Sequence, residues 1–241
     1  AQPDTAQPDT AQPDTAQPDT AQPDTAQPDT TQPDTAQPDA GGPIGGCTQG
    51  TWQLLDLAGG SGVGSMDGLG AKARFNAPRG LAFASDGTIL VADYSNHRVR
   101  RVTSAGVVTT VAGSGVGSTT GPIKSAKFSY PAGVYEETGT IWIAASSNDQ
   151  IRKISGGQIT VVAGTGTSGS TDGEALGKAR FYKPQAVAKA PDGSLWVADT
   201  KNHRIRRIAS GQVTTVAGSS IGGQNGKGKM ARFSFPKDIR F

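Results

Sequence analysis

Asp, Asn and His, which can bind metals or move protons, stand together at two places in the chain. The two sets are Asp93, Asn96 and His97, and Asp199, Asn202 and His203. A zinc site needs three or four ligands that converge on one point. The two sets lie 106 residues apart, and the similar stretch between them lacks both the Asp and the His. Because Asp and Asn also close turns by bonding the backbone, we interpret both sets as structural turns, not as metal ligands.

A glycine-rich stretch has the spacing of a phosphate-binding loop. Gly164, Gly166 and Gly169 match the G-x-G-x-x-G pattern, which works only where the glycines open a helix. The residues before Pro184 leave room for two turns at most, and similar text recurs at 55–65, 109–118 and 214–223. The repetition indicates a structural connection. No nucleophile elbow is present either, so the sequence predicts no cofactor, no metal and no catalytic residue.

Basic residues recur at one place in each repeat. They are Arg98, Arg100, Arg101, Arg152, Lys153, Arg204, Arg206 and Arg207. Such a pattern predicts basic clusters around the body of the protein, and these could bind a polyanion. The alternative is that the long side chains cover apolar edges while their charged ends stay in water.

The charge is distributed unevenly along the chain. All 23 Lys and Arg follow residue 40 together with 12 of the 20 acidic residues, so this part carries +11 whereas residues 1–40 carry −8. A basic domain favours anionic partners. We therefore expect a protein or an anionic polymer, either polysaccharide or nucleic acid, as the partner.

The first 40 residues are eight copies of a pentapeptide, Ala-Gln-Pro-Asp-Thr, with two substitutions. They contain no aromatic or large aliphatic residue that could offset the entropy of folding, so we predict a disordered stalk over 1–40. Residues 41–56 are expected to form a short linker and an entry strand. No run of 18 apolar residues is present, so the sequence predicts no transmembrane segment.

The remainder, 57–241, is built from an internal repeat. Phe75, Phe128, Phe181 and Phe233 each precede a proline by three residues and are spaced 53, 53 and 52 residues apart. Each unit contains four β-branched runs separated by Gly, Asn or Asp. In the first unit these predict strands over 80–84, 89–93, 98–103 and 107–112. We therefore predict an all-β chain of four-stranded antiparallel blades, a β-propeller, with the four Phe as packing anchors.

The repeat resembles the NHL repeat. The resemblance rests on "VADYSNHRVRRV" at 91–102 and "VADTKNHRIRRI" at 197–208, with "ARF" upstream and "TTVAG" downstream. The second repeat departs from it, with Ala145 and Asp149 in place of the Asp and His. The resemblance implies a six-bladed ring, monomeric when complete. About three and a half blades are present, so we interpret the chain as a fragment.

The resemblance also frames the function. Some NHL propellers bind RNA on a basic face, whereas others bind protein partners. Propeller lyases and lactonases place His or carboxylate rings at the central channel, where this chain offers only Glu136, Glu137 and Asp238. We therefore expect a noncatalytic binding module, bacterial and exported, secreted or held at the cell surface on its stalk. An enzyme with active residues in missing blades and a nucleic-acid-binding propeller are the alternatives.

One further position bears on packing. Leu90, Trp142 and Trp196 occupy the same place in the three repeats. An aromatic side chain there is expected to pack between neighbouring blades instead of stacking on a ligand.

Overall fold

The computed structural model describes residues 55–241. The predicted stalk, 1–40, and nearly all of the predicted linker and entry strand, 41–56, lie outside the described residues. Residues 55–67 are irregular, and the first strand begins at Gly68.

Three antiparallel five-stranded sheets follow one another along the chain, and we call them the first, second and third blades. The first contains β1 (Gly68–Leu69), β2 (Pro78–Phe83), β3 (Ile89–Asp93), β4 (Arg98–Val102) and β5 (Val107–Ala112). The second contains β6 (Gly121–Pro122), β7 (Pro131–Glu137), β8 (Thr140–Ala145), β9 (Gln150–Ser155) and β10 (Gln158–Ala163). The third contains β11 (Gly173–Glu174), β12 (Ala186–Lys189), β13 (Leu195–Asp199), β14 (Arg204–Ala209) and β15 (Gln212–Ala217).

Each blade is a meander of four strands with a short fifth strand added at its outer edge. The order in the first blade is β1-β5-β4-β3-β2, and the other two repeat it. The innermost strands of neighbouring blades lie side by side, β2 beside β7 and β7 beside β12. The prediction of an all-β chain of propeller blades is confirmed. The four long strands of the first blade agree with their predicted bounds to within two residues.

Five short 3₁₀ helices complete the described elements. They are Gly70–Lys72, Tyr94–Asn96, Ser146–Asn148, Thr200–Asn202 and Gly228–Met230. The middle three form the turn between the second and third long strands of each blade. Among residues 55–241, no helix is long and apolar enough to cross a membrane.

The core lies between blades. Phe128 and Phe181 are fully buried, each against apolar side chains of the preceding blade. Trp142 packs against the cluster that contains Phe181, and the Trp196 ring centroid lies 5.7 Å from that of Phe241. Both tryptophans therefore contact the following blade or its beginning.

Phe75 is only partly buried, in contrast to the equal burial expected of the anchors. The reason is that the described residues place no blade before the first one. Leu81 on that side is 55% exposed, whereas its equivalents Val134 and Val187 are 7% and 4% exposed. The difference in exposure shows how much of the inner strand a preceding blade covers.

A fourth copy begins after the third blade. Phe233 is bridged to Ile221 in the way that Phe128 is bridged to Val116. The stretch 236–241 follows Phe233 as the inner strands follow the other three Phe, but it forms no strand, because the described residues offer it no partner strand in its own blade.

Candidate functional site

Three of the eight basic residues proposed as a binding surface are buried inside the blades. Arg100, Arg152 and Arg206 are inaccessible to solvent, so their guanidinium groups cannot meet a partner on the surface. The prediction of an accessible cluster is wrong for these three residues. The physical reason is that both faces of the third strand pack against other parts of the fold, so an arginine there must find its partners inside.

Arg100 shows what the buried position does. Its guanidinium donates to the buried carboxylate of Asp93 at 2.8 Å and to Asp67 at 2.5 Å. It also donates to the carbonyl oxygens of Met66 and Arg74, at 2.9 and 3.1 Å. Arg100 therefore ties its own strand to the connection that enters the blade. We call the three buried residues the arginine pins.

Arg206 repeats this arrangement in the third blade. It pairs with Asp199 at 2.6 Å and with Asp172 at 2.8 Å, and donates to the carbonyl oxygens of Thr171 and Arg180. Since Asp199 is fully buried as well, the pair lies in a place where an unpaired charge would be costly.

Arg152 is the pin without a carboxylate. Its Nε and one terminal nitrogen donate to Oε1 of Gln150, and its terminal nitrogens reach the carbonyl oxygens of Lys127 and Ser118. Burial lowers the pKa of Arg152 to about 10, as expected for a cation held only by neutral acceptors.

The other five basic residues are accessible in part, but most are already engaged. Arg98 and Arg204 donate to the carbonyl oxygens of Ser65 and Ser170. Arg101 pairs with Asp86, and Arg207 pairs with Asp192 at 2.9 Å. Bonds from Ser194 and Arg207 lower the pKa of Asp192 to about 2, so this carboxylate is ionised and offsets the charge of Arg207. Lys153 is exposed, and binding by the outer clusters stays a prediction.

The Asp and Asn of the two recurring sets lie in turns. Asp93 accepts from the backbone N–H of Asn76 and from the side-chain amide of Asn96, which also bonds the carbonyl oxygen of Gly64. Asp199 and Asn202 make the equivalent bonds, with Tyr182 and Gly169 as partners. Among residues 55–241, no three potential metal ligands gather at one point.

The residue that ends each of these turns joins neighbouring blades. His97 and His203 have left-handed backbones, and their Nδ1 atoms accept the backbone N–H of Tyr130 and of Phe235, each at 3.1 Å. Asp149 in the second blade does the same for Lys183 at 2.8 Å. We call these three residues the blade clasps. The second repeat has Asp in place of His at this position, and it therefore keeps the hydrogen bond to the next blade.

The His97 clasp should make the stability of the protein depend on pH. Burial lowers the pKa of His97 below its ordinary value of 6.5, so the folded state prefers the neutral ring. The stabilisation is present above the unfolded-state pKa and is lost as the pH falls through the folded-state pKa. We expect the free energy of unfolding to decrease as the pH falls below about 6.5, and His97→Gln to reduce that decrease. Urea unfolding at several pH values checks this; an unchanged slope in the variant would contradict it.

A cleft of about 530 Å³ lies along the inner strands, and we call it the inner cleft. The residues that follow Pro78, Pro131, Pro184 and Pro236 line this cleft. Its polar lining residues are Arg79, Tyr135, Gln185, Lys237, Asp238 and Arg240. Asp238 pairs with Arg240 at 2.8 Å, so the cations outnumber the carboxylates. The net charge of this lining is positive.

Sequence reasoning overlooked the inner cleft as a basic site. Arg79 and Lys237 stand at the same place in the first and fourth repeats, directly after the proline. Ala132 and Gln185 occupy this place in the second and third. Aligning the repeats on their prolines shows that this position is basic in two of the four repeats. The runs of arginine on the third strand are a stronger local pattern, and they point to a different surface.

The repeat is matched by known proteins. The NHL repeat model matches residues 75–102 and 181–208, which lie in the first and third blades. The chain is 28% identical over 226 residues to NHL repeat-containing protein 2 of Gallus gallus and 27% identical over 220 residues to that of Bos taurus. These matches cover 78% and 75% of this chain but only 31% and 30% of the relatives.

One solved structure shows the same fold. An auxiliary nutrient binding protein from Bacteroides ovatus aligns with a TM-score of 0.53 and 18% identity, over 70% of this chain and 44% of that one. At this identity the likeness concerns the fold alone. The matches therefore identify NHL repeats in the first and third blades of this chain.

Proposed function

We propose that the chain is a noncatalytic binding module that takes an anionic partner, a protein or an acidic polymer, at its inner cleft. The observation that carries the proposal is the lining of that cleft. Arg79 enters it from the inner strand of the first blade and Lys237 from the stretch that begins the fourth repeat, and no carboxylate within it is left to neutralise them, because Asp238 already pairs with Arg240.

The histidines and glutamates that could act in catalysis are engaged in structural contacts. The chain contains two histidines, and both act as blade clasps. Glu136 accepts bonds from the backbone and hydroxyl of Ser85, and Glu137 pairs with Lys189. These contacts support binding over catalysis. The low-complexity segment 1–40 supports display of the module at a cell surface.

Binding should depend strongly on the cations of the inner cleft. We expect the full chain to bind polygalacturonate or polyglutamate with an affinity that falls steeply with salt, because each paired carboxylate releases counterions. The double variant Arg79→Gln/Lys237→Gln should lower the affinity at least about tenfold at low salt, corresponding to the loss of a few charge-assisted contacts. Isothermal titration calorimetry at two salt concentrations measures both effects.

A charge-matched control makes the test specific. Lys72 and Lys124 are exposed and lie away from the inner cleft, so Lys72→Gln/Lys124→Gln changes the net charge equally and should change affinity little. A third variant, Arg101→Gln/Arg207→Gln, tests the accessible arginines of the third long strands. A larger loss of affinity in this variant than in Arg79→Gln/Lys237→Gln would place the binding site on the third strands. Turnover of a lactone substrate by the full chain would overturn the noncatalytic proposal.

A further inference from the structure

One backbone position stands out on the face where the inner strands begin. The residue before each inner-strand proline has a positive φ: 48° at Ala77, 51° at Tyr130, 47° at Lys183 and 49° at Phe235. A non-glycine residue in this region is strained and persists only where its surroundings fix it. The blade clasps provide that constraint for the last three, so their side chains are held in place at the junctions between blades.

Two of these residues present aromatic rings to solvent. Tyr130 is 36% exposed and Phe235 is 37% exposed. Each ring meets the histidine of its clasp edge to face, with centroid separations of 4.5 and 4.6 Å. We call Tyr130 and Phe235 the junction aromatics. Because they are fixed by both backbone and neighbour, a ligand that stacks on them loses little entropy to side-chain ordering.

A cation accompanies each junction aromatic. The guanidinium of Arg79 lies 3.6 Å above the ring of Tyr94, whose centroid is 4.9 Å from that of Tyr130. The ammonium group of Lys201 lies 4.9 Å from the centre of the Phe235 ring. At the junction between these two, Lys183 takes the place of an aromatic residue. Rings and positive charges thus occur together beside the prolines that begin the repeats' inner stretches, and Arg79 links them to the lining of the inner cleft.

We propose that the junction aromatics stack against sugar rings of an acidic polysaccharide whose carboxylates pair with Arg79, Lys183 and Lys201. The inference rests on the proposed function, because it assumes an anionic ligand at the inner cleft. The C–H face of a sugar suits the negative face of an aromatic ring. Cations spaced one per blade match a chain with occasional carboxylates better than a nucleic acid, which carries a phosphate on every nucleotide.

The test compares aromatic variants with a hyaluronate oligosaccharide as the probe, because it carries a carboxylate on every second sugar. We expect Tyr130→Leu/Phe235→Leu to lower the affinity by about tenfold, since each side chain keeps its apolar bulk but loses the flat ring. Tyr130→Phe should bind like the parent protein. Phe83→Leu is the matched control, because Phe83 is also exposed but lies at the other end of its inner strand. Circular dichroism shows that each variant is folded.

The outcomes separate this inference from the proposed function. If the aromatic variants bind normally while Arg79→Gln/Lys237→Gln binds weakly, stacking is refuted and the anionic site stands. If oligothymidylate binds more tightly than the hyaluronate oligosaccharide and depends on the same rings, the ligand is a nucleic acid and the polysaccharide proposal is overturned. If no anionic polymer binds in a salt-dependent way, the proposed function itself fails.

Discussion

Replacing Arg206 with methionine should destabilise the third blade by about 3–5 kcal/mol, the usual cost of breaking a buried ion pair by removing one partner. Methionine fills much of the volume but leaves the fully buried carboxylate of Asp199 without a cation, whereas the partly exposed Asp172 keeps Lys229 at 3.7 Å. The Asp199 carboxylate would then have to be desolvated without a counter-charge, or protonated, on folding. Urea unfolding followed by the summed fluorescence of the three tryptophans, of which Trp196 lies in this blade, measures the change.

Arg152→Met is the matched control. It removes the same side chain from the same strand position, but its partners are the neutral Gln150 and two backbone carbonyls. We expect a loss of no more than about 2 kcal/mol, because no charge is left unpaired and the desolvation of the arginine is no longer required. Trp142 reports on this blade. Equal losses in the two variants would contradict the claim that the carboxylates set the energetic role of the pins.

The arginine pins explain why runs of arginine misled the sequence interpretation. Arginine is rarely buried unless it is paired, so a recurrent Arg pattern favours a surface on general grounds. The overlooked signal is that Arg100 and Arg206 recur together with an Asp at the end of the preceding strand. When an Arg and an Asp recur together in neighbouring strands, the pair predicts a buried ion pair, which neither residue predicts alone.

The second blade shows how a repeat can lose one member of such a pair. Ala145 stands where the other blades have an Asp, and Oδ1 of Asn148 accepts the backbone N–H of Ser129 that the missing carboxylate would have bonded. Gln150 supplies an oxygen to Arg152. Neither compensation follows from the repeat pattern, because both depend on where two side-chain amides point after folding.

The strands themselves were predictable, whereas the outermost ones were not. Alternating β-branched residues and glycine-containing turns place the four long strands of each blade, since both signals are local. The fifth strands, β1, β6 and β11, are two residues long and carry no alternation. They exist because the entering connection passes beside the outer edge of the blade, which is a property of the tertiary fold.

The candidate site was predictable only in part. Charge asymmetry pointed correctly to a basic globular part, but not to the inner cleft, because the cations that line it are separated by whole repeats. The turn residues were assigned to the right local structure. Their contacts to the next blade could not be seen in one repeat, since the clasp joins atoms from two.

Introducing a methyl group at Gly133 should destabilise the protein by about 3 kcal/mol, at the upper end of what overpacking costs. A Cβ there would lie 2.9 Å from Cα of Ala186 and closer still to the carbonyl oxygen of Gln185. Both obstacles belong to the backbone of the next inner strand, so no side-chain rotation can relieve them. Gly133→Ala therefore has to push the second and third blades apart along the inner cleft, which should also weaken polyanion binding.

The reverse change at the equivalent position supplies the control. Ala186 stands in the third blade where Gly133 stands in the second, and Ala186→Gly should cost about 1 kcal/mol or less, from backbone entropy and a lost methyl contact. Thermal unfolding and binding of polygalacturonate measure both variants. If Gly133→Ala is as mild as Ala186→Gly, the inner strands are free to move apart. The cleft would then owe its shape to the clasps and the arginine pins alone, and not to the close approach of neighbouring inner strands.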